Sequence, residues 1–285
     1  MLSLYTNIAA LNTKSNMNST QNALSTSMTR LGTGQRINSA MDDAAGLQIA
    51  TRLDAQSRGM TVAMKNAQNG ISMMQTAEGA LNEVTNILQR MKDLSTEGAN
   101  GTATANDKTA MQSEYDALGK ELNNIVSNTT FGGEKLLAKT GGKLAAAVNF
   151  QIGASSSEVM STDVSTQITG LDTALQAASA QYKTPSATAG GEIGSAATID
   201  LLNTALDSVG AVRSALGANS NRLDHVVNNL NNVNNNTLAA KGRIMDTDYA
   251  SESSTMTAKQ MLMQASTSML KQSGSMNSLA MSLLQ

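Results

Sequence analysis

The chain contains no cysteine and no tryptophan, one proline, and only 2% aromatic residues. Without cysteine there can be no disulfide framework and no thiolate metal site, and the composition argues against redox chemistry. With so few aromatic rings, the apolar core has to be built from Leu, Ile, Val, Met and Ala, and Met alone occurs 18 times. This composition favours helices packed on helices in thin seams over a thick globular core.

Charge is also scarce. Charged residues make up 15% of the chain, against roughly 25% in typical soluble domains. The formal net charge of −2 gives no electrostatic footprint for nucleic acid or an anionic membrane, and it weakens repulsion between copies. We therefore expect no nucleic-acid partner.

Two further features bear on location. No stretch approaches the roughly 20 apolar residues of a membrane-spanning helix, so we expect no membrane span. The first residues, MLSLYTNIAALNTKSNMNST, lack the basic and apolar regions of a secretory signal peptide. We therefore expect either a cytoplasmic protein or one that is exported without a cleaved signal.

Apolar residues recur every seven positions along three long stretches, which predict helices at about 43–97, 107–127 and 199–240. The first stretch carries the row Leu53, Met60, Ala67, Met74, Leu81 and Leu88. The third carries the rows Leu202, Val209, Leu216, Leu223, Leu230 and Ala205, Val212, Val226, Val233. Only Asn219 interrupts the second of these rows, and it is a candidate for setting the register or a weak spot. Three such seams in one chain predict a bundle.

Two shorter apolar stripes lie near the ends of the sequence. One consists of Leu4, Ile8 and Leu11, and the other of Leu262, Met269, Met276 and Leu283, which stand seven apart. Met263 and Leu270 lie one position beyond this second stripe. We expect the two terminal helices to pair, and we expect the apolar surface left over to pack against other copies of the chain.

The middle of the chain has a different character. Glycine recurs through 131–164, and the alternation around Val148, Phe150 and Ile152 predicts short strands. Residues 183–198 contain the only proline and resemble an exposed loop. The predicted fold is thus mainly α: a long antiparallel coiled-coil bundle with paired terminal helices and a small β-hairpin or irregular middle region. The predicted domains are 1–42 with 246–285, 43–165 with 199–245, and a short exposed variable region at 166–198.

Polar residues offer no chemical site. In RINSAMDDAAGLQIA, Ser39 or Asn38 can cap a helix and Asp42 and Asp43 lie near its positive end, which favours a helix start over a carboxylate pair. His225, the only histidine, has no nucleophilic or acidic constellation around it. The segment GTGQR lacks the preceding strand of a phosphate loop and is predicted to be a linker. We expect no enzyme activity, no cofactor and no metal site.

Motifs at both ends resemble those of bacterial flagellins. LGTGQRINSAMDDAAGLQIATRL, QNGISMMQTAEGALNEVTNILQRMKDLSTEGANGT and RIMDTDYASESSTMTAKQMLMQASTSMLKQ occur in order, and the resemblance covers about 1–165 and 199–285. It implies a structural subunit of the filament used for swimming, exported unfolded through the flagellar type III channel and assembled outside the cell. The terminal helices would line the filament core, the long helices would form the next shell, and the middle would face outward. The chain departs from the pattern in its short middle and in Gln285, where Arg is common.

The same resemblance implies partners. They are other copies of the chain, an export chaperone, the filament cap and junction proteins, and a host Toll-like receptor that senses flagellin. The segment LQRMKDLSTEGANGT is similar to the segment which that receptor recognises, and it makes Arg90, Leu94 and Glu114 candidate contacts. Asp93 and Glu97 differ from the usual residues there. Taken alone, these residues indicate only a charged helix face.

A second class of protein also fits the long seams. A coiled-coil signalling module, such as the cytoplasmic hairpin of a chemoreceptor, has Ala, Ser and Gln on long helices in the same way. Such a hairpin needs a sensor or membrane span, whereas both ends of this sequence carry amphipathic stripes. The ends therefore favour an assembling structural protein.

Overall fold

A computed structural model of the chain describes residues 7–185 and 190–282, except for the side chains of 276–282. Over these residues the chain forms seven α-helices and two small antiparallel sheets. The mainly helical fold class predicted from the sequence is thereby confirmed.

The elements follow one another in a simple order. The helices are α1 (Ile8–Thr33), α2 (Ala44–Ala99), α3 (Ala105–Asn128), α4 (Ser165–Ala178), α5 (Ala180–Lys183), α6 (Ala196–Met245) and α7 (Tyr249–Ser282). The strands are β1 (Thr130–Phe131), β2 (Glu134–Lys135), β3 (Val148–Gln151) and β4 (Val159–Thr162), with a 3₁₀ turn at Lys143–Ala145. At 56 residues, α2 is about 84 Å long.

The chain divides into two compact units. The terminal unit comprises Met1–Ser57 and Asn235–Gln285, and the central unit comprises Arg58–Asn234. This division falls inside α2 and α6, whereas the sequence predicted boundaries between 42 and 43 and between 245 and 246, at the start of α2 and the end of α6. The first turns of α2 and the last turns of α6 belong to the terminal unit because Ala50 and Met245 pack around the linker residue Ile37.

The core of the central unit is a seam of apolar side chains from α2, α3, α4 and α6. Because the buried positions on α2 and α6 are spaced three and four residues apart, each helix presents one continuous apolar face. The buried residues of these two helices include Ala67, Met74, Ala77, Leu81, Val84, Leu88 and Met91 on α2 and Leu202, Ala205, Val209, Val212, Leu216 and Leu223 on α6.

The seam of α6 departs from the second predicted row after Asn219, while Leu223 and Leu230 of the first row stay buried. Val227 is buried where Val226 was expected, Val226 is half-buried, and Val233 is exposed. A straight α-helix has 3.6 residues per turn, so residues spaced strictly seven apart drift slowly around its axis. The buried face therefore moves to the neighbouring residue, here Val227. Asn219 itself is half-buried and donates from its amide to the carbonyl of Ala215 at 2.9 Å, so this bond stays within its own helix.

The start of α2 is capped by Asp43, and the prediction that Ser39 or Asn38 caps it was wrong. The Asp43 carboxylate accepts from the backbone N–H of Gly46 at 2.8 Å. Asp42 instead closes the preceding turn, since it accepts from the backbone N–H groups of Asn38 at 3.1 Å and Ser39 at 2.9 Å. These hydrogen bonds to the charged carboxylate lower the pKa of Asp42.

Two hairpins occupy the predicted irregular middle. Gly132 and Gly133 join β1 to β2 with φ of 61° and 89°, which a two-residue turn of this kind requires at both positions. β3 pairs with β4 between Val148↔Thr162 and Gln151↔Val159. This second hairpin lies against α2 at Gly70, where a Cβ would stand only 2.7 Å from the ring of Phe150.

The segment 166–198 is not exposed throughout, contrary to the sequence prediction. Ile168, Leu171 and Leu175 of α4 are buried in the same core as α2 and α6. Together with Ala178 they have the three- and four-residue spacing of an amphipathic helix. The Gly, Ser and Thr residues around them concealed this signal in the sequence.

Polar side chains of α3 hold the chain just before residues 186–189. The amide of Asn123 donates to the carbonyl of Tyr182 at 2.9 Å, and the hydroxyl of Tyr115 donates to the carbonyl of Ala178 at 2.6 Å. Burial raises the pKa of Tyr115 well above its usual range, so this hydroxyl keeps its proton and remains a donor.

A second set of contacts from α3 holds the chain just after those residues. The amide of Gln112 donates to Glu192 at 2.8 Å and accepts from the backbone N–H of Ile193 at 2.9 Å. Asp116 accepts from the backbone N–H of Gly190 at 3.1 Å. We call these two sets of hydrogen bonds the α3 anchors.

Replacing Leu216 with Ala should destabilise the central unit by about 2–5 kcal/mol, because it opens a cavity in the seam. Leu216 is fully buried, whereas Leu201 on the same helix is exposed. Leu201→Ala is therefore a matched control, with an expected change within about 0.5 kcal/mol. Chemical denaturation followed by circular dichroism measures both. Equal losses in the two variants would contradict the position of the seam.

Candidate functional site

The terminal helices α1 and α7 pair through a narrow seam. Along both helices the side chains turned away from solvent are spaced alternately three and four residues apart, which is the heptad pattern of a coiled coil. They are Ala10, Thr13, Met17, Thr20, Leu24, Ser27 and Leu31 on α1 and Glu252, Met256, Lys259, Met263, Ser266, Leu270 and Ser273 on α7. Ala23 and Arg30, which are also half-buried, flank the row on α1. More than half of this seam is small or polar, which distinguishes it from the apolar seam of the central unit.

Hydrogen bonds fix the antiparallel register of this pair at both ends. The amide of Asn7 donates to the carbonyl of Ser273 at 3.0 Å. At the other end, the hydroxyl of Tyr249 donates to the carbonyl of Leu31 at 3.0 Å. These bonds join the first turn of one helix to the last described turns of the other, so each helix follows the other along its length.

The linkers that lead into α2 and α7 are tied to each other. Gly34 ends α1 with φ of 72°, and its N–H donates to the carbonyl of Arg30 at 2.8 Å. The N–H of Arg36 donates to the carbonyl of Met245 at 2.6 Å, and the N–H of Thr247 donates to the carbonyl of Gly34 at 3.1 Å. The segment GTGQR thus contains the end of α1 and the start of the linker, whereas the sequence predicted a linker throughout.

Each terminal helix also carries apolar side chains that remain exposed. Ile8, Leu11, Leu262 and Met269 are between 52% and 63% exposed, and Met28 and Met261 are similarly open. We call these six residues the outer stripes. A groove of about 460 Å³ lies beside Met28, and its lining also includes Leu24 and Met263.

The predicted assembly stripe therefore does not close the helix pair within one chain. Met263 and Leu270, one position beyond the predicted stripe, face α1 instead. Leu262 and Met269 stay exposed, as do Ile8 and Leu11. The remaining predicted members, Leu4 and Leu283, lie outside the described residues, as does the side chain of Met276.

Few side chains in the helix pair are fully shielded from water. On α1 only Leu24 and Ser27 are buried, and Arg30 forms a loose ion pair with Glu252 at 3.8 Å. Helices in water derive most of their stability from packing an apolar face. The pairing of α1 with α7 in one chain is therefore marginal, and further contacts would add much to it.

The candidate receptor residues lie apart from this pair, in the central unit. Arg90 on α2 and Glu114 on α3 form an ion pair at 2.8 Å with both side chains about half exposed. This hydrogen bond and the charge of Glu114 raise the pKa of Arg90. Leu94 is only 2% exposed and belongs to the core, so in this structure its side chain is not presented to a partner.

Among the described residues, no three or more His, Asp and Glu side chains gather in a group that could hold a metal ion. His225 lies exposed on α6. Within the same residues, every helix is too short or too polar to cross a membrane.

The small and polar part of the α1–α7 seam was not predicted from the sequence. Thr13, Thr20 and Ser27 stand seven apart, and so do Ser266 and Ser273. A search for apolar periodicity passes over such residues. The regular spacing of small side chains was the signal that could have revealed the seam.

Comparison with known proteins gives matches over most of the chain. Residues 4–141 match the family model described as the bacterial flagellin N-terminal helical region, and residues 199–284 match the bacterial flagellin C-terminal helical region. Flagellin B of Vibrio cholerae is 36% identical and polar flagellin F of Vibrio parahaemolyticus is 35% identical, each alignment covering 99% of both chains. These alignments extend over 377 and 378 positions, more than the 285 residues of this chain, so both relatives contain additional residues.

A solved structure shares the fold. The structure of a putative flagellar hook-associated protein from Vibrio parahaemolyticus superposes with a TM-score of 0.54 and covers 72% of this chain and 100% of that one. Its sequence identity is 16%, so the likeness concerns the arrangement of helices.

In the isolated chain, backbone amides of α1 and α7 should exchange with deuterium at least roughly 100-fold faster than those of residues 67–94, because few buried contacts hold the terminal pair. Hydrogen exchange followed by mass spectrometry compares both regions in one sample. Equal protection in the two regions would show that the terminal pair is as stable as the central seam.

Proposed function

The chain belongs to the bacterial flagellin family and is a structural subunit of the flagellar filament, and from this premise we propose that the outer stripes are its contacts with neighbouring copies. The observation that carries the proposal is the exposure of Ile8, Leu11, Leu262 and Met269 on helices whose facing sides are already paired. Self-assembly is a property of the family. The proposal assigns it to particular side chains.

The energetics support assembly through many weak contacts. Fully burying one Leu, Ile or Met side chain contributes roughly 1.5–3 kcal/mol, while fixing the backbone of one residue costs about 1–2 kcal/mol. A stripe residue buried alone therefore gains little over the cost of ordering its helix. Several copies packing around α1 and α7 at once would bury both outer stripes and exceed that cost.

The same reasoning extends to the layers of the filament. We propose that the domain formed by 1–42 and 246–285 lies in the filament core, and that 43–165 with 199–245 forms the next shell. Residues 166–198 would lie outermost. The two family matches leave 142–198 between them, which supports a variable outer region, and within it the buried helix α4 forms the inner part.

Export and location are further parts of the proposal. We propose that the chain leaves the cell unfolded through the flagellar type III channel and assembles at the filament tip, outside the cell. The thin seam of α1 and α7 supports this, since marginal pairing allows the ends to open. An export chaperone and the filament cap and junction proteins are the partners that we propose for this route. Its role is mechanical, and we propose no enzyme activity.

We also propose a host Toll-like receptor as a partner of the exposed pair Arg90 and Glu114. Both side chains are about half open to solvent and lie on adjacent helices. The burial of Leu94 removes it from the surface of this structure, so the proposed contact rests on the charged pair.

Changing Leu262 to Glu should block assembly and leave the subunit folded. A carboxylate on the outer stripe would be buried without a partner, so we expect the critical concentration for filament growth to rise by roughly 100-fold or more. The free energy of unfolding, measured by thermal denaturation, should change by less than about 0.5 kcal/mol, since Leu262 is exposed in the free chain. Seeded growth measured by light scattering and electron microscopy tests the first expectation.

Two matched variants sharpen that experiment. Leu262→Met keeps the apolar surface and should assemble normally. Met263→Glu changes the neighbouring residue that faces α1, so it should reduce both helicity and assembly. Filaments of normal length from Leu262→Glu would rule out the outer stripe of α7 as a subunit contact.

Changing Arg90 to Ala should lower receptor stimulation by depolymerised protein while the fold survives, because an exposed ion pair contributes at most about 1 kcal/mol. Arg213→Ala is the matched control, since Arg213 forms a similar surface pair with Glu78 at 3.8 Å. A reporter-cell assay measures stimulation. Equal responses to the Arg90 variant and the unchanged protein would exclude this contact.

A further inference from the structure

Methionine is the only sulfur-containing residue in this chain, and the structure divides its 18 methionines by exposure. Six described methionines are buried: Met60, Met73, Met74, Met91, Met160 and Met245. Four are exposed: Met28, Met41, Met261 and Met269. Three of these four belong to the outer stripes, whereas Met41 lies in the linker between α1 and α2.

We propose that the thioethers of Met28, Met261 and Met269 are oxidative modification sites, and that a hydroperoxide which converts them to sulfoxides stops the subunit from joining a filament. The inference rests on the proposed role of the outer stripes. The proposed role of the outer stripes does not itself require regulation. The inference adds that assembly depends on the oxidation state of three methionine side chains.

The chemistry needs only the thioether and the peroxide. A sulfur lone pair attacks one peroxide oxygen, the O–O bond breaks and an S–O bond forms. The proton on the transferred oxygen passes to the departing hydroxide and gives water when the oxidant is hydrogen peroxide. Sulfur is oxidised by two electrons and the peroxide is reduced by two. With no cysteine in the chain, no thiol competes for the oxidant.

Exposure determines which methionines react. Met28, Met261 and Met269 are between 57% and 63% exposed, so a peroxide reaches their sulfur atoms in the folded subunit. Met74 and Met91 are at most 1% exposed in the central core, and an oxidant would reach them only after the core opens. Oxidation under mild conditions is therefore expected on the outer stripes and at Met41 before it reaches the core.

The consequence of oxidation differs between the free subunit and the filament. In the free subunit the sulfoxide oxygen remains in water, so the helix pair keeps its stability. In the filament the same oxygen would be buried against apolar side chains without a hydrogen-bond donor, which is unfavourable. Leu262, Ile8 and Leu11 on the same stripes do not react, so the modification changes polarity only at the sulfur positions. Enzymatic reduction of the sulfoxide restores the original surface.

The experiment uses the purified full chain as free subunits. Subunits are treated with dilute hydrogen peroxide, mapped by peptide mass spectrometry, and mixed with seeds cut from untreated filaments. We expect Met28, Met261 and Met269 to oxidise at least roughly tenfold faster than Met74 and Met91. We expect the critical concentration for growth to rise roughly tenfold or more. Methionine sulfoxide reductases for both epimers should restore growth.

Variants identify the responsible sulfur atoms. The triple variant Met28→Leu, Met261→Leu, Met269→Leu keeps the apolar volume, so it should assemble before treatment and continue to assemble after it. Met41→Leu removes the most exposed of the described methionines, at 97%, and should lose assembly on treatment as the unchanged protein does. Loss of assembly in the treated triple variant would overturn the inference, because other methionines would then be responsible.

Protection in the filament gives an independent readout. If the outer stripes are covered by neighbours, the three methionines should oxidise more slowly in assembled filaments than in free subunits, while Met74 should change little. Treated subunits that carry all three sulfoxides and still extend seeds would overturn the inference alone. Untreated subunits that fail to extend seeds would overturn the proposed function, and the inference with it.

Discussion

The helices of this protein pack against each other through a thin layer of Leu, Val, Met and Ala side chains. The rest of the structure depends on this thin core. In the central unit, Leu81 and Leu88 of α2 and Leu216 and Leu223 of α6 belong to one buried cluster. In a layer one side chain thick, each helical turn buries only one or two residues, so the stability of a helix accumulates with its length. Length compensates, and α2 and α6 extend over 56 and 50 residues. The long helices are thus a consequence of a composition with almost no aromatic residues.

The terminal helices α1 and α7 pack with the same spacing, but through smaller and more polar side chains. Where α2 presents Leu and Val to its seam, α1 presents Thr13, Thr20 and Ser27. Small side chains let two backbones approach closely, but they remove little apolar area from water. A single subunit therefore holds its terminal helices loosely and leaves the outer stripes open. We propose that neighbouring copies cover these stripes and thereby stabilise the terminal helices.

Much of the fold could be predicted from the sequence because the strongest seams are apolar and regular. The predicted span 43–97 corresponds to α2 at Ala44–Ala99, and the predicted third helix to α6 at Ala196–Met245. The helix α4 was not foreseen, since its Ile and Leu residues lie among Gly, Ser and Thr that resemble a loop. The polar seam of α1 and α7 was missed for a similar reason. Leu94 could not be recognised as buried, because its place in the motif gives no information on which side of α2 faces α6.

Assignment of the outer stripes depended on a difference of one residue. Met263 and Leu262 are both apolar neighbours on α7, and heptad spacing alone fits either of them into a seam. Only the paired structure shows that Met263 faces α1 while Leu262 remains open. The sequence could therefore predict an amphipathic end, but it could not indicate which apolar row would be left for another molecule.

The α3 anchors have a consequence for chain length. They hold Tyr182 before residues 186–189 and Gly190 after them, so α3 fixes both ends of the connection between these points. The entropic cost of closing a flexible loop grows only with the logarithm of its length, at roughly 0.6 kcal/mol for each doubling. An added segment that folds by itself would change this cost even less. Because of the α3 anchors, the geometry of the helical bundle does not depend on the length of the chain between Tyr182 and Gly190. Evolution could lengthen or shorten this connection without repacking a seam.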